Sequence, residues 1–269
     1  MKVQMLQGFF LRDWQSAKSY RMSAILQAVG LFIPLIGLYF LNRTFNEVDV
    51  PAIQRFGGNY ITWMLVGVIL ASFSGLALGL IVGPLRGAQI RGTLEVLLLT
   101  RASLPTIMLG WSVYPITRAV IAMVIGLTGG FIIAGISISG ANIGGAVVVI
   151  LAMIVIMGSI GLFAASFTLV FKQSDPFTAV FFLATGLLSG TVYPIEVLPG
   201  FLQAVGRLLP QTHAIEAMRL AILQGYSFSD LHTQFGVLAI YAAVLLPIGI
   251  ITLNLAVRQA KIEGSLAHY

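Results

Sequence analysis

Residues capable of acid–base or metal chemistry are few in this chain and lie far apart. The three histidines are His213, His232 and His268, and the sequence contains no cysteine. A zinc site or a hydrolytic active site needs several such side chains at short, regular spacing. The sequence therefore predicts no catalytic residue and no metal site, and we interpret His213 as a structural residue of a loop.

A nucleotide-binding motif is also missing from the sequence. The phosphate-binding loop GxxxxGK[ST] surrounds phosphates with backbone amides and one lysine, and no lysine of this chain follows a glycine. We therefore expect this chain to bind no cofactor directly. If ATP drives its activity, ATP and magnesium must bind another subunit.

Arg118 is the one charged residue deep inside an apolar run. Charged side chains within a membrane usually face a cavity or a partner. Two roles therefore stay open for Arg118: it contacts an anionic part of a substrate or lipid, or it binds carbonyls at a helix interface or snorkels. The predicted spans contain no Asp, Glu or His apart from border residues such as Asp175, which disfavours a proton-coupled carrier, although backbone carbonyls alone can bind sodium.

The composition is that of a membrane protein. Hydrophobic residues make up 58% of the 269 positions and charged residues 9%, whereas soluble domains have roughly 45–50% and about 25%. The formal net charge is +6. We interpret this charge as topological, because the basic residues flank apolar runs, where they bias orientation and meet anionic headgroups. Membrane lipid is thus an expected partner, and nucleic acid is not.

The alternation of apolar and polar segments predicts an all-α integral membrane protein with six transmembrane helices. Residues 3–18 are expected to form an amphipathic helix that lies on the membrane surface. The fifth apolar run is short for a straight span, and prolines with two amphipathic pieces follow it at residues 192–232, which predicts re-entrant helices. The whole chain, residues 1–269, is expected to be one transmembrane domain, with spans at about 22–41, 60–84, 106–136, 143–171, 177–191 and 235–257.

The distribution of Lys and Arg predicts the orientation. In this topology ten of them lie on the side of both termini and four on the other side. Cytoplasmic loops carry the excess of basic residues. We therefore expect a multi-pass protein of the cytoplasmic (inner) membrane with both termini in the cytoplasm.

Three segments together resemble the membrane subunits of the ABC type-2 exporter family, over nearly the whole chain. LRDWQSAKSYRMSAILQ at residues 11–27 is similar to the family's interfacial connecting helix. GTLEVLLLTRASLPTIMLG at residues 92–110 looks like its cytoplasmic coupling helix and the entry to its third span. SGTVYPIEVLPGFLQAVGRLLPQTHAIEAMR at residues 189–219 resembles its re-entrant helices on the outer side.

The resemblance implies a coupling helix at residues 86–100 that docks on an ATPase. Three leucines can form an apolar ridge for a partner's groove, with polar contacts at the rim. The candidate coupling residues are Arg91, Gly92, Thr93, Leu94, Glu95, Leu97 and Leu98. Many relatives carry acidic residues where this chain has Gln89 and Arg91, so the polar contacts are expected to differ. An ordinary amphipathic loop helix is the alternative.

The resemblance also implies an outer gate, where the family has an aromatic-proline, acidic and leucine-proline signature. The residues of this chain at those positions are Tyr193, Pro194, Glu196, Leu198 and Pro199. Prolines can set rigid turns between half-helices, which accounts for the short fifth run. A loop resting on the surface without a gating role is the alternative.

The function implied is that of a permease subunit of an ATP-driven exporter, with no enzymatic activity of its own. Its expected partners are a second permease subunit, as a homodimer, and two copies of a cytoplasmic ABC ATPase. The apolar spans favour an amphipathic, lipid-linked or drug-like substrate, within a family that moves drugs, glycolipids and polysaccharides. The alternatives are an ion-coupled secondary carrier or channel, and a membrane-bound enzyme or scaffold without transport.

Overall fold

The fold is known here from a computed structural model, which describes residues 8–11, 14–15, 22, 37, 40, 51–57, 60–90, 92–93, 104–135, 140–171 and 176–262. All regular secondary structure in these ranges is helical. The α-helices are α1 (Tyr60–Ile90), α2 (Leu104–Ala134), α3 (Ile143–Phe171), α4 (Pro176–Leu188), α5 (Gly200–Arg207), α6 (Pro210–Leu223) and α7 (His232–Ile262), and short 3-10 helices cover Pro51–Phe56 and Ile195–Val197.

Within these ranges, four helices are long and apolar enough to cross a membrane. They are α1, α2, α3 and α7, each of 28 or more residues in its apolar part, and α4 is a shorter apolar helix. A straight span needs roughly 17–25 residues. The predicted first span at residues 22–41 lies, apart from three residues, outside the described part of the chain, so the number of six spans stays a prediction.

The four long helices form a row in the order α2, α1, α3, α7. α1 packs against α2 on one side and α3 on the other, and α3 packs most extensively against α7. α6 lies at one end of the four-helix bundle and contacts α1, α3 and α7. The two inner helices are consequently the most buried, whereas only 28% of the apolar part of α2 and 17% of that of α7 are covered.

Small residues allow these helices to approach closely. Gly249 of α7 lies against α3 so tightly that a Cβ at this position would stand 2.6 Å from the Ser159 carbonyl oxygen. Gly161 of α3 faces α1 in the same way, since a Cβ there would stand 3.1 Å from the Leu78 carbonyl oxygen. The backbones therefore meet directly at both crossings.

Two hydrophobic cores follow one another along the axes of these four helices. The larger one contains Trp63 of α1, Met153 of α3 and Ile215 of α6, together with the 3-10 helix at Pro51–Phe56. The smaller one joins Leu85 near the end of α1 to Trp111 of α2. The two ends of the bundle thus have separate clusters of buried side chains, which adjoin along α1 and α3.

The N-terminal amphipathic segment docks on the smaller core. Residues 8–11 and 14–15 are helical, and the rings of Phe10 and Trp14 meet the ring of Tyr114 edge-on at 5.6 and 6.3 Å. Phe9 packs against the core itself. The apolar face that the sequence predicts for residues 3–18 is therefore turned, in its described part, toward α2.

Helix α1 is longer than the second span that the sequence predicts at residues 60–84. We expect this span to end near residue 84, but α1 continues through Pro84 to Ile90. A proline is tolerated in such a helix where neighbouring groups satisfy the freed carbonyl. Residues 86–90 of the predicted coupling helix consequently belong to the last turns of α1.

Candidate coupling and gate sites

The predicted coupling segment begins directly after a helix cap. The amide of Gly92 donates to the Gln89 carbonyl at 2.9 Å, and the amide of Thr93 donates to the Ala88 carbonyl at 2.9 Å. Gly92 has a φ of +67°, a left-handed conformation that favours glycine. This is the paired hydrogen-bond pattern of a Schellman cap. It ends α1 and directs the chain away from the helix axis before residue 94.

Of the candidate coupling residues, only Gly92 and Thr93 lie in the described part of the chain, and both are exposed. Arg91, Leu94, Glu95, Leu97 and Leu98 lie outside it. The apolar ridge of residues 94, 97 and 98 therefore stays a prediction from the sequence.

The predicted gate residues belong to a compact segment, residues 189–223, that we call the α5–α6 segment. It leaves the end of α4 in extended and turn conformations, forms the 3-10 helix Ile195–Val197, and continues through α5 and α6. Contacts tie it to α4, α1, α3 and α7. It is a folded part of the bundle rather than a loose loop.

The five predicted gate residues shape the turns of this segment. The hydroxyl of Tyr193 donates to the Leu187 carbonyl at 2.5 Å and so holds the turn to α4. Pro194 precedes the 3-10 helix with φ −61° and ψ 142°, and Pro199 precedes α5 with φ −56° and ψ 146°. These are the extended conformations that a proline ring favours. The side chain of Gln203 donates to the carbonyls of Leu198 at 2.8 Å and Glu196 at 3.2 Å.

Arg219 of α6 lies at the centre of this arrangement and is only 4% exposed. Its Nε donates to the Trp63 carbonyl at 3.0 Å, and its Nη2 donates to the carbonyls of Gly190 at 3.0 Å and Thr191 at 3.2 Å. Its Cζ stands 3.5 Å from the centre of the Trp63 ring. One guanidinium therefore connects α6, α1 and the turn that follows α4.

The guanidinium occupies a space that a glycine leaves open. A Cβ at Gly67, one helical turn after Trp63, would collide with Arg219 Nη2 and with the Thr191 carbonyl oxygen. A buried cation needs such close hydrogen-bond acceptors, because burying an unpaired charge is expensive. Gly67 is thus part of the Arg219 site.

Arg55 connects the same elements on the exposed side. This residue of the 3-10 helix Pro51–Phe56 pairs with Glu196 at 3.6 Å and with Glu216 of α6 at 3.4 Å. Its side chain is 57% exposed, so each pair contributes at most about 1 kcal/mol. The pairs close the rim of a small cavity of about 40 Å³, whose wall includes Trp63 and Arg219.

Hydroxyl groups complete the interior of the α5–α6 segment. Ser189 and Thr191 share a hydrogen bond of 2.7 Å, and Gln211 donates to the Ser189 hydroxyl at 3.4 Å. Thr212 donates to the Gly206 carbonyl at 2.6 Å. All four side chains are buried, so this polar cluster fixes the start of α6 to the turn after α4.

The loops beside α6 are also fixed. The Asn142 side chain caps α3 by accepting from the Gly145 amide at 2.8 Å and donates to the Tyr226 carbonyl at 2.7 Å. Its own amide donates to the Ala221 carbonyl at 2.8 Å. The connection between α2 and α3 thereby holds the end of α6.

The remaining candidates lie apart from the Arg219 site. Arg118 is half-buried on α2, with its Cζ 6.0 Å from the centre of the Tyr114 ring. His213 lies in α6 rather than in a loop, and its Nε2 hydrogen-bonds to the Arg207 carbonyl at 2.8 Å. Among the described residues, no group of three or more His, Asp or Glu could hold a metal ion.

The burial of Arg219 is not predicted from the sequence, where this residue is one of the four basic residues counted on the side opposite the termini. A signal is nevertheless present. Arg219 stands between Ala217, Met218 and Leu220 to Ile222, all buried apolar residues of one short helix. A lone arginine surrounded by such residues indicates a buried cation that needs carbonyl or aromatic partners.

Comparison with known proteins adds a family and several relatives. The family model of the ABC-2 type transporter matches residues 3–223. The linearmycin resistance permease protein LnrN of Bacillus subtilis (strain 168) is 31% identical over 104 residues, which cover 39% of this chain and 27% of LnrN. Nodulation protein J of Rhizobium meliloti (strain 1021) is 26% identical over 243 residues, covering 87% of this chain and 86% of that protein. Nodulation protein J of Rhizobium leguminosarum bv. trifolii is 25% identical over 242 residues, covering 84% and 85%.

Proposed function

Because this chain belongs to the ABC-2 type transporter family, we propose that it is the membrane permease subunit of an exporter driven by a separate cytoplasmic ATPase. Proteins of this family are transport components and are not themselves catalytic. The observation that carries the proposal is the family match over residues 3–223, which includes the N-terminal amphipathic segment, the coupling segment and the α5–α6 segment.

The proposed topology has six spans in the cytoplasmic (inner) membrane, with both termini in the cytoplasm. α1, α2, α3 and α7 supply four spans. Residues 22–41 and the short α4, continued by the α5–α6 segment, supply the other two. The distribution of basic residues supports this orientation, since the ends of α1, α3 and α7 near Arg86, Lys172 and Arg258 would face the cytoplasm.

The proposed assembly contains two permease copies and two ATPase subunits. Exposed apolar side chains cover the outer helices of the row and α4, for example Ile132 on α2, Leu183 on α4 and Ile240 on α7, which are 64–78% exposed. In the assembly, lipid and the second permease would cover these faces. ATP binding would bring the ATPase subunits together, and residues 86–100 would pass this motion to α1 and α2.

The proposed substrate is amphipathic: a lipid-linked or drug-like molecule. The spans are apolar, and the described parts of α1, α3 and α7 carry charged residues only near their ends. Such surroundings suit a molecule with a large apolar part better than a free ion. The name of LnrN, a resistance permease, supports a drug-like cargo.

Affinity purification of the tagged chain from its native membrane tests the proposal, followed by identification of co-purifying subunits and an assay of ATP hydrolysis. We expect an ABC ATPase in equal amount to the permease. Leu97→Asp should remove it, because a carboxylate in the apolar ridge opposes docking. Ile262→Asp is the matched control, since Ile262 is 76% exposed at the end of α7 and lies outside the ridge.

The outcomes separate the candidate functions. Recovery of the ATPase with both the parent chain and the control, but not with Leu97→Asp, supports the exporter. A folded permease that moves substrate without any ATPase would instead support an ion-coupled carrier or channel. Partner binding without substrate movement would support a scaffold.

A further inference from the structure

α1 connects the two regions that an exporter must coordinate. It is an unbroken helix of 31 residues from Tyr60 to Ile90, about 46 Å long at about 1.5 Å per residue. The cap at Gly92 joins one end to the predicted coupling segment. The other end carries Trp63, whose carbonyl accepts from Arg219. A displacement of the coupling segment along or about α1 would therefore reach Arg219.

The polar attachment of this end of α1 to the turn before the gate residues runs mainly through one side chain, whereas α1 and α6 also pack against each other in the larger hydrophobic core. Arg219 contacts the first turns of α1 through Trp63 and Gly67, and it contacts the chain after α4 through the carbonyls of residues 190 and 191. Tyr193 and Pro194 follow this turn after Val192. The guanidinium thus lies between α1 and the turn at residues 190 and 191, which leads into the gate residues.

Other polar contacts in this region are weaker or bypass α1. The pairs of Arg55 with Glu196 and Glu216 are exposed and do not involve α1. The Tyr60 hydroxyl donates to the Val192 carbonyl at 2.8 Å, but this is one exposed hydrogen bond from the first residue of α1. With three buried hydrogen bonds, the guanidinium is consequently the strongest polar link between α1 and the gate turn among the described residues.

We propose that Arg219, seated in the space left by Gly67, is a positioning residue that makes the α5–α6 segment move together with α1. This inference rests on the proposed exporter function. Arg219 acts through backbone carbonyls and does not contact substrate. Loss of the link would leave the ATPase able to assemble and hydrolyse ATP, while the gate turn no longer follows the nucleotide state.

A single introduced cysteine can report this motion, because the natural chain contains no cysteine. Phe201 on α5 is 71% exposed, so Phe201→Cys can be labelled with an environment-sensitive bimane fluorophore. The labelled permease is purified with its ATPase and measured with and without ATP, magnesium and vanadate. We expect a nucleotide-dependent change in emission in this parent protein.

Two variants remove the link in different ways. Gly67→Ala places a Cβ in the space of Arg219 Nη2, and Arg219→Lys keeps the charge but removes the fork of donors. Each should lose most of the emission change in a complex that still hydrolyses ATP. The double variant should lose no more than the single variants, because both disrupt one interaction. Gly79→Ala on the same helix is the control, since a Cβ there meets no atom within 4 Å, and it should keep the full change.

A purely structural role for Arg219 predicts a different result. The variants would then lower the thermal stability of the complex, but the folded fraction would respond to nucleotide like the parent protein, and this result would overturn the inference while leaving the exporter function standing. If one of the two variants does not fold, the other decides the question: Gly67→Ala changes no polar group but also meets the Thr191 carbonyl, whereas Arg219→Lys leaves Gly67 unchanged. Absence of any nucleotide response in a parent complex that hydrolyses ATP would also overturn the inference, whereas absence of an ATPase would overturn the proposed function itself.

Discussion

Phe9 lies against Gly110 of α2, and its ring occupies the space that a Cβ atom at position 110 would need. A Cβ at position 110 would stand 2.5 Å from Cδ2 of Phe9. The N-terminal segment is thereby seated on the same core that receives the ends of α1 and α3. In the proposed exporter, this places the interfacial segment beside the entry of α2, directly after the coupling segment.

The first prediction concerns this contact. Gly110→Ala should push the Phe9 ring away and lower the free energy of unfolding by about 1 kcal/mol, as overpacking does. Labelling of a cysteine at Leu11, 55% exposed, should become faster because the segment loosens. Gly83→Ala, where a Cβ meets nothing within 4 Å, should not lower the free energy of unfolding, because alanine favours a helix more than glycine does, and it should leave the labelling rate unchanged.

The second prediction tests the crossing of α3 and α7. Gly249→Ala should destabilise the protein by about 2 kcal/mol, because its methyl group would meet the backbone of Ser159, which cannot rotate away. Gly236→Ala on the same helix has free space around it and should alter the free energy of unfolding by less than about 1 kcal/mol. Thermal unfolding in one detergent measures the stability of both variants. Equal losses of stability would contradict the close crossing of α3 and α7.

The third prediction separates the two arginines around the cavity. Arg219→Gln should destabilise the protein by at least about 2 kcal/mol, because buried carbonyls lose their donors. Arg55→Gln removes only exposed pairs and should cost less than about 1 kcal/mol. High salt should erase the Arg55 effect and leave the Arg219 effect. A salt-sensitive Arg219→Gln loss would contradict its burial.

The fourth prediction concerns acid sensitivity beside α7. The hydroxyl and amide of Ser227 both donate to Asp230, and these hydrogen bonds lower the pKa of Asp230 below its ordinary value of 3.8. A depressed carboxylate pKa contributes stability above the unfolded-state pKa, and this contribution disappears as the pH falls through the folded value. Asp230→Asn should therefore reduce the loss of stability on acidification below about pH 3.8. Near neutral pH, the dependence of stability on pH should be nearly the same in the variant and the parent protein. Unfolding temperatures over a pH series provide the measurement.

Hydropathy alone was sufficient to locate the long helices, because each is a nearly continuous apolar run. The predicted span at 143–171 has the same bounds as α3, where Asn142 caps the start of the helix. Hydropathy could not find the end of α1, since Leu85, Ala88 and Gln89 are buried by tertiary packing although arginines stand beside them. The hydrogen bonds around Arg219 join residues 28, 29 and 156 positions apart, and periodicity carries no information about such distant pairs.

The cap at Gly92 has an evolutionary consequence for the proposed exporter. The amides of Gly92 and Thr93 satisfy the carbonyls of Gln89 and Ala88, so these two carbonyls need no hydrogen bond from the residues that come next. In the proposed exporter, substitutions in residues 94–100 would change the surface offered to the ATPase while this cap stays in place. Such a boundary would separate the segment that meets the motor from the membrane core, so that the sequence of one can change without the cap of the other being lost.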